Sequence, residues 1–129
     1  MTYNLTALVT IAALLVYFVM GLQVGAARGR YGVKAPAVTG NEMFERLYRV
    51  QMNTLEWLPL FLAPLWLFAL YVGDRYAVAL GLVWIVGRVL YMLSYAKDPS
   101  KRGTGFMVQF AAVAVLTVGS LIAIVLKMI

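Results

Sequence analysis

The sequence contains four apolar stretches, each long enough to cross a lipid bilayer as a helix. A bilayer core of about 30 Å requires roughly 20 predominantly apolar residues in a helix. The stretches alternate with short segments rich in glycine, proline and charge, which are typical of loops. The helices are predicted at about residues 5–27, 43–72, 76–95 and 104–127. This pattern predicts an all-α membrane protein, a bundle of four transmembrane helices formed by a single domain over residues 1–129.

The scarcity of charge excludes a water-soluble monomer. Charged residues make up 12% of the chain, whereas an ordinary soluble domain carries about 25%. The chain has eleven Lys and Arg residues and five Asp and Glu residues. These are too few to cover the surface of a water-soluble globule of 129 residues. The first apolar stretch is not expected to be a cleaved signal peptide, because no basic residue precedes it and its apolar run is too long.

The positions of lysine and arginine predict the orientation in the membrane. The segments 28–41 and 96–103, on one side, hold six basic residues, namely Arg28, Arg30, Lys34, Lys97, Lys101 and Arg102. The other side holds Arg75 and Lys127. By the positive-inside rule, the more basic side faces the cytoplasm and both termini lie on the opposite side. The chain is therefore expected to be a multi-pass protein of a bacterial inner membrane or an endoplasmic-reticulum type membrane.

The residue types that are missing exclude several kinds of chemistry. The sequence has no cysteine and no histidine, so thiolate or imidazole metal ligands and Cys- or His-based catalysis are absent. No metal site is predicted. Nucleic-acid binding is not expected either, because the basic residues lie at membrane loops rather than along an exposed groove. An enzyme with this composition would depend on a bound small molecule for its reactive atom.

Two of the predicted helices carry polar residues on a single face. The spacing is i, i+4, i+7 in the second helix and i, i+3, i+7 in the third, which keeps each set on one side. The residues are Arg49, Asn53 and Glu56 in the second helix, and Arg88, Tyr91 and Tyr95 in the third. A short turn at residues 73–75 makes the helices antiparallel neighbours, so at about 1.5 Å per residue both sets reach one depth. The pattern predicts a polar pocket just inside the cytoplasmic boundary.

Structural interpretations of these residues remain open. The loop cations could be simple membrane anchors, and the aromatic residues could form an interfacial belt. The aromatic residues concerned are Trp57, Tyr91 and Tyr95. Arg49 could pair with Glu45 on a solvated helix end. Arg88 could form a structural ion pair with Glu56, because an unpaired charge at this depth costs about 2.5–3.5 kcal/mol.

The second predicted helix resembles the signature of the MAPEG family (membrane-associated proteins in eicosanoid and glutathione metabolism). Residues 45–56 contain the pattern Glu-Arg-x-x-Arg-x-x-x-Asn-x-x-Glu. Arg88-x-x-Tyr91-x-x-x-Tyr95 and the basic pair before the fourth helix also fit. The resemblance covers nearly the whole chain, and it is nearest to the bacterial microsomal-type glutathione transferases and the leukotriene-forming branch.

The resemblance implies a homotrimer of four-helix protomers that hold glutathione as a cofactor in clefts between neighbouring subunits, open to the cytoplasm. The residues that match glutathione-contacting positions are Arg28, Arg49, Gln51, Asn53, Glu56, Arg88, Tyr91 and Tyr95. The residue that matches the thiol-activating position, and so the catalytic one, is Arg102. The implied activity is that of an integral membrane glutathione transferase or peroxidase, whose thiolate attacks an apolar electrophile from the bilayer or reduces a lipid hydroperoxide.

The residue types suit this ligand. Glutathione carries two carboxylates and one ammonium, which arginines and Glu56 can bind, while Asn53 and Gln51 can satisfy its peptide groups. Its thiol has a pKa of about 8.5, and lowering it by about two units requires about 2.7 kcal/mol of anion stabilisation. One guanidinium in a partly dry cleft can supply that.

Two departures from the leukotriene-forming branch favour a general transferase or peroxidase. Trp57 stands in place of a tyrosine, and Gly29 in place of an arginine thought to act on the lipid, for which Arg30 is a poor substitute. A non-enzymatic, lipid-binding scaffold of the same family is the alternative, although that branch looks depleted in the arginines and tyrosines kept here. A four-span drug–proton exchanger is disfavoured, because the first helix lacks a carboxylate.

Overall fold

The computed structural model describes residues 2–129, so Met1, the first residue of the predicted domain, lies outside it. The elements are α1 (Asn4–Tyr31), α2 (Glu42–Tyr71), α3 (Asp74–Lys97), a 3-10 turn (Pro99–Lys101) and α4 (Gly103–Met128). No strand occurs among the described residues. All four helices are long and apolar enough to cross a membrane, which confirms the prediction of an all-helical chain with four candidate spans.

The first helix is longer than predicted, and this corrects the placement of two arginines. α1 extends past residue 27 to Tyr31, so Arg28 and Arg30 lie in its last turn and not in a loop. Cations in that turn interact favourably with the carbonyl end of the helix dipole. Gly32 then ends the helix with φ 67°, a left-handed conformation that glycine adopts without steric cost.

Successive helices run antiparallel, which gives the bundle two distinct ends. The C-termini of α1 and α3 meet the N-termini of α2 and α4 at what we call the basic end. There, Arg46 of α2 donates to the carbonyl oxygen of Lys97 at 3.2 Å. At the opposite end, the ammonium of Lys127 lies 5.1 Å from the ring centre of Tyr71. Each end therefore joins elements that are distant in sequence.

The apolar core lies between the four helices, and much of the outer surface is also apolar. The rings of Phe61 and Trp84 stack at 4.1 Å, and Leu65 and Leu116 are fully buried beside them. Large apolar side chains such as Phe18 are exposed on the outer faces. Such faces require lipid or another protein surface against them, which agrees with the four membrane spans.

The helices α3 and α4 pack backbone to backbone through glycines. A Cβ built on Gly105 would lie 2.8 Å from the carbonyl oxygen of Gly87 and in steric overlap with the backbone nitrogen of Tyr91. A Cβ on Gly87 would lie 2.6 Å from the nitrogen of Gln109. Small residues allow this close approach of membrane helices. As a result, Tyr91 is held directly against the first turns of α4.

Asp74, the first residue of α3, caps the start of α1 at the opposite end. Its carboxylate accepts hydrogen bonds from the Thr6 nitrogen at 2.8 Å and the Thr6 hydroxyl at 2.6 Å. Asp74→Ala leaves these donors without their acceptor, so the thermal unfolding midpoint in detergent is expected to fall by a few degrees. Arg75→Ala, at the exposed neighbouring position, is the control. Equal midpoints for the two variants would contradict this role.

Candidate functional site

A cavity of about 390 Å³ opens at the basic end between α2, α3 and the start of α4. Its wall consists of Arg49, Asn53, Tyr91, Tyr95, Arg102 and Phe106. Five of these six residues belong to the predicted set, so the structure brings more than half of the nine predicted site residues together. The wall contains two guanidinium groups and no carboxylate among the described residues. Its electrostatics therefore favour a ligand with negative charge.

Arg49 and Glu56 form an ion pair at the margin of this cavity. Arg49 Nη1 lies 2.9 Å from Glu56 Oε1, and about half of each side chain is exposed. The pairing shows that the i, i+7 spacing does place both residues on one face of α2. The alternative pairing of Arg49 with Glu45 is not formed. Because exposed ion pairs contribute only about 0–1 kcal/mol, either partner can turn to a ligand at little cost.

Arg88 lies behind the cavity wall instead of in it. It is fully buried, and its Nη2 donates to Asn53 Oδ1 and to Thr54 Oγ1, both at 2.9 Å. Its guanidinium carbon lies 4.4 Å from the ring centre of Tyr91. The suggested ion pair with Glu56 is therefore wrong, since Glu56 is paired with Arg49. Arg88 contacts two residues of the wall and supports both from the protein interior.

The two tyrosines of α3 line the cavity together with Arg102. Tyr91 is 3% exposed, and its ring centre lies 5.5 Å from that of Tyr95. The Arg102 guanidinium lies 5.9 Å from the Tyr95 ring centre, and its Nη1 donates to the carbonyl oxygen of Pro99 at 3.2 Å. Tyr91 therefore faces the protein interior, which is inconsistent with its part in an interfacial aromatic belt.

Trp57 is also part of the protein's internal packing. Its ring meets Phe106 and Phe110 edge-on, at centroid distances of 5.5 Å and 6.0 Å. Phe106 follows Arg102 by one helical turn and lines the cavity. The polar cavity therefore adjoins an aromatic cluster through Phe106, and the cluster extends to the exposed side chain of Phe110.

The turn before α4 sets the position of Arg102. Asp98 accepts hydrogen bonds from the Ser100 hydroxyl at 2.8 Å and from its backbone nitrogen at 3.0 Å. These bonds, the hydroxyl first, lower the pKa of the Asp98 carboxyl below its ordinary value. Arg102 follows directly and precedes the first residue of α4. Its cation thus stands beside the positive end of that helix dipole, where an anion is favoured.

Besides Glu56 and Arg88, two further predicted site residues do not line this cavity. Arg28 donates to the carbonyl oxygen of Ala37 at 2.7 Å and lies 4.9 Å from the ring centre of Phe44, so it holds the loop after α1. Gln51 faces α1, where its Nε2 would be 3.1 Å from a Cβ built on Gly21. Both therefore belong to the α1 side of α2, away from the cavity in the same chain.

Comparison with known proteins assigns the family. A sequence profile of the MAPEG family matches residues 6–122. The chain belongs to the MAPEG family. It is 46% identical over 96 residues to microsomal glutathione S-transferase 2 of Homo sapiens, covering 74% of this chain and 65% of that protein. It is 39% identical over 98 residues to leukotriene C4 synthase of Bos taurus, covering 76% of this chain and 65% of that one. The predicted family is therefore confirmed.

A third relative extends the likeness over more of the chain. An uncharacterized protein of Synechocystis sp. is 48% identical over 118 residues, covering 92% of this chain and 86% of that protein. By contrast, this MAPEG chain spans just under two thirds of the length of the two enzymes named above. Together with the four candidate spans, family membership supports a multi-pass integral membrane protein.

Three residues of this MAPEG chain contribute to the site although none was predicted as a site residue, and of these only Arg46 is a defined position of the family signature. Arg46 donates to Glu42 at 2.6 Å and ties the start of α2 to the end of α3. Thr54 binds Arg88, and Phe106 lines the cavity. Phe106 was detectable, because it follows Arg102 by four residues and so lies on the same helix face. A buried threonine carries no comparable signal, because such hydroxyls commonly bond to their own helix.

A second cavity of about 420 Å³ adjoins the first and shares Arg49 and Tyr95 with it. Glu42 and Glu45 contribute to its wall, so it carries both signs of charge. The described residues contain no group of three or more carboxylates that could hold a metal ion. The two adjoining cavities together present arginines, carboxylates and tyrosines at this end of the bundle.

Proposed function

We propose that this MAPEG protein is an integral membrane glutathione transferase with peroxidase activity. The observation that carries the proposal is the cavity lined by two arginines, an asparagine and two tyrosines at the start of α4. This wall offers cations for carboxylates and hydrogen-bond donors for peptide groups. Glutathione acts here as a co-substrate, since its sulfur becomes part of the product.

The binding of glutathione would use the exposed ion pair. Arg49 is proposed to turn to a carboxylate of the tripeptide, which frees Glu56 for the ammonium group. Asn53 donates to a peptide or carboxylate oxygen, and the tyrosine hydroxyls can hydrogen-bond to further polar groups. This arrangement pairs one carboxylate and the ammonium group of the ligand with opposite charges of the protein.

Arg102 is proposed to be the catalytic residue. Its guanidinium stabilises the thiolate of bound glutathione, which is the nucleophilic form. The thiolate sulfur then bonds to the electrophilic carbon of an apolar substrate, and the leaving group departs with the electron pair. With a lipid hydroperoxide, the sulfur attacks the terminal oxygen and the O–O bond breaks, and the leaving alkoxide takes a proton from water to give an alcohol. The sulfenic acid that forms reacts with a second glutathione to give a disulfide and water.

A homotrimer would complete the site. Arg28 and Gln51 lie on the α1 side of α2, away from the cavity of their own chain. In a cleft between neighbouring subunits, one copy would supply the cavity and the next would supply these two residues. We infer that the basic end faces the cytoplasm, with both termini on the opposite side of a bacterial inner or reticulum-type membrane.

Binding of glutathione to the purified protein tests the proposal. Titration calorimetry in detergent is expected to show saturable heat of binding. The ultraviolet spectrum of the complex at neutral pH is expected to show thiolate absorbance at about 240 nm. The matched control is an analogue with a methyl group in place of the thiol, which should bind without the absorbance. Absence of heat with both ligands would exclude the proposed function.

An apolar groove supports the alternative of a non-enzymatic lipid-binding scaffold. The groove has a volume of about 260 Å³ and lies between α1 and α3. Its lining consists of Leu15, Val16, Val19, Val89 and Met92. Glutathione binding without turnover of an aryl chloride or a lipid hydroperoxide would favour this alternative.

A further inference from the structure

Arg88 is a buried cation that can act on a ligand only through the residues it touches. It is 0% exposed, and its hydrogen bonds all come from Nη2, which points at α2. Nε and Nη1 have no hydrogen-bond partner among residues 2–129. Because Asn53 and Tyr91 stand between Arg88 and the cavity, its influence passes through these two side chains.

The contact with Arg88 determines which way the Asn53 amide points. A guanidinium group only donates hydrogen bonds, so the atom that faces Nη2 at 2.9 Å must be the amide oxygen. The assignment of oxygen and nitrogen, ambiguous for many asparagines, is fixed here by chemistry. With its oxygen occupied, Asn53 has its NH₂ group left for the cavity that it lines.

Thr54 in turn holds Arg88 in place. Its side chain is fully buried, and its hydroxyl donates to the carbonyl oxygen of Val50 at 2.8 Å. The hydroxyl hydrogen is therefore committed, and the oxygen can only accept from Arg88. The Tyr91 ring, 4.4 Å from the guanidinium carbon, fixes the same group from the α3 side.

We propose that Arg88 and Thr54 are positioning residues that hold Asn53 with its NH₂ group toward the cavity, so that this position accepts only a ligand oxygen. Arg88 then contacts no part of the ligand, in contrast to the direct contact predicted from the family resemblance. The inference rests on the proposed function, since the ligand oxygen is taken to belong to glutathione. The position discriminates against ligands that present a donor there, because two facing donors cannot form a hydrogen bond.

Asn53→Asp keeps the hydrogen-bond acceptor that faces Arg88 but removes the donor that faces the cavity. A carboxylate accepts from Arg88 as the amide oxygen does, so the thermal midpoint of the ligand-free protein should not fall, whereas Asn53→Leu should lower it. The carboxylate offers no N–H to the cavity, so affinity for glutathione should fall at least about 10-fold by calorimetry. Unchanged affinity for Asn53→Asp would overturn the proposal, because it would mean that the oxygen faces the ligand.

Thr54→Val and Thr54→Ser test the second positioning residue. Valine keeps the shape but removes the acceptor, so the KM for glutathione is expected to rise about 10-fold with little change in kcat at saturation. Serine keeps the hydroxyl and should restore KM. A purely structural role would reduce the amount of folded protein and leave KM unchanged, and that result would overturn the proposal.

The two inferences fail in different ways. If the unaltered protein binds no glutathione, the proposed function fails. The positioning of Asn53 is then tested only by the thermal unfolding midpoints of the ligand-free variants. A midpoint of Asn53→Asp below that of Asn53→Leu would overturn it, and the reverse order would support it.

Discussion

Arg102→Ala is expected to leave glutathione bound but mostly as the neutral thiol. The other wall residues still provide one cation, Arg49, and hydrogen-bond donors, so the affinity should change little. Without the guanidinium, however, the pKa of the bound thiol rises toward about 8.5 from a value about two units lower. At about pH 7, this change reduces the thiolate fraction, and with it the kcat, about 25-fold.

The pH profile of kcat distinguishes this mechanism from a loss of folding. Because the thiolate forms only above the thiol pKa, the profile of Arg102→Ala should shift to higher pH by about two units, and activity should recover near pH 9. Arg102→Lys, which keeps the charge, should shift the profile less. The control is Lys101→Ala, at the exposed neighbouring position. Turnover equal to that of the unaltered protein at neutral pH would remove Arg102 from the catalytic role.

Gly105→Ala is expected to have the largest effect on stability. The added methyl group overlaps backbone atoms of Tyr91 and Gly87, which cannot move unless α3 and α4 separate. Overpacking of this kind costs about 1–3 kcal/mol or more. Since the same contact holds Tyr91 against the start of α4, the KM for glutathione should rise together with the loss of stability.

A matched control for this substitution lies two residues away on the same helix. A Cβ on Gly103 would have no heavy atom within 4 Å, so Gly103→Ala should leave the thermal midpoint unchanged or slightly raised. Thermal unfolding of both variants in the same detergent measures the difference. Equal midpoints would show that the backbones of α3 and α4 can separate freely at this point.

The parts of the fold that depend on local sequence were predictable. The four spans follow from length and hydropathy, and the depth of the polar cluster follows from the helical rise. The Arg49–Glu56 pair lies within one helix, so spacing alone places both residues on one face. The cavity lined by α2, α3 and α4 contains residues of α2 and α3 that lie at the same depth. That depth could be estimated by counting residues from the turn at residues 73–75.

The partners of Arg88 could not be predicted in the same way. Which side of α3 faces α2 depends on the rotation of α3 about its axis, and the glycine contact with α4 limits that rotation. By depth along the helices alone, Arg88 could contact either Glu56 or Asn53. Only the three-dimensional packing selects Asn53. The extension of α1 that carries Arg28 also depends on Gly32, one residue beyond the helix end.

The carboxylate of Glu56 competes with any anionic ligand for the guanidinium of Arg49. A fatty acid from the bilayer brings one negative charge, and if it displaced Glu56 it would leave that carboxylate without a partner. A molecule that carries an ammonium group beside its carboxylate satisfies both side chains at once. If glutathione binds as proposed, the pair favours a zwitterionic amino-acid end over a simple anion, and because both side chains are half-exposed this preference is at most about 1 kcal/mol.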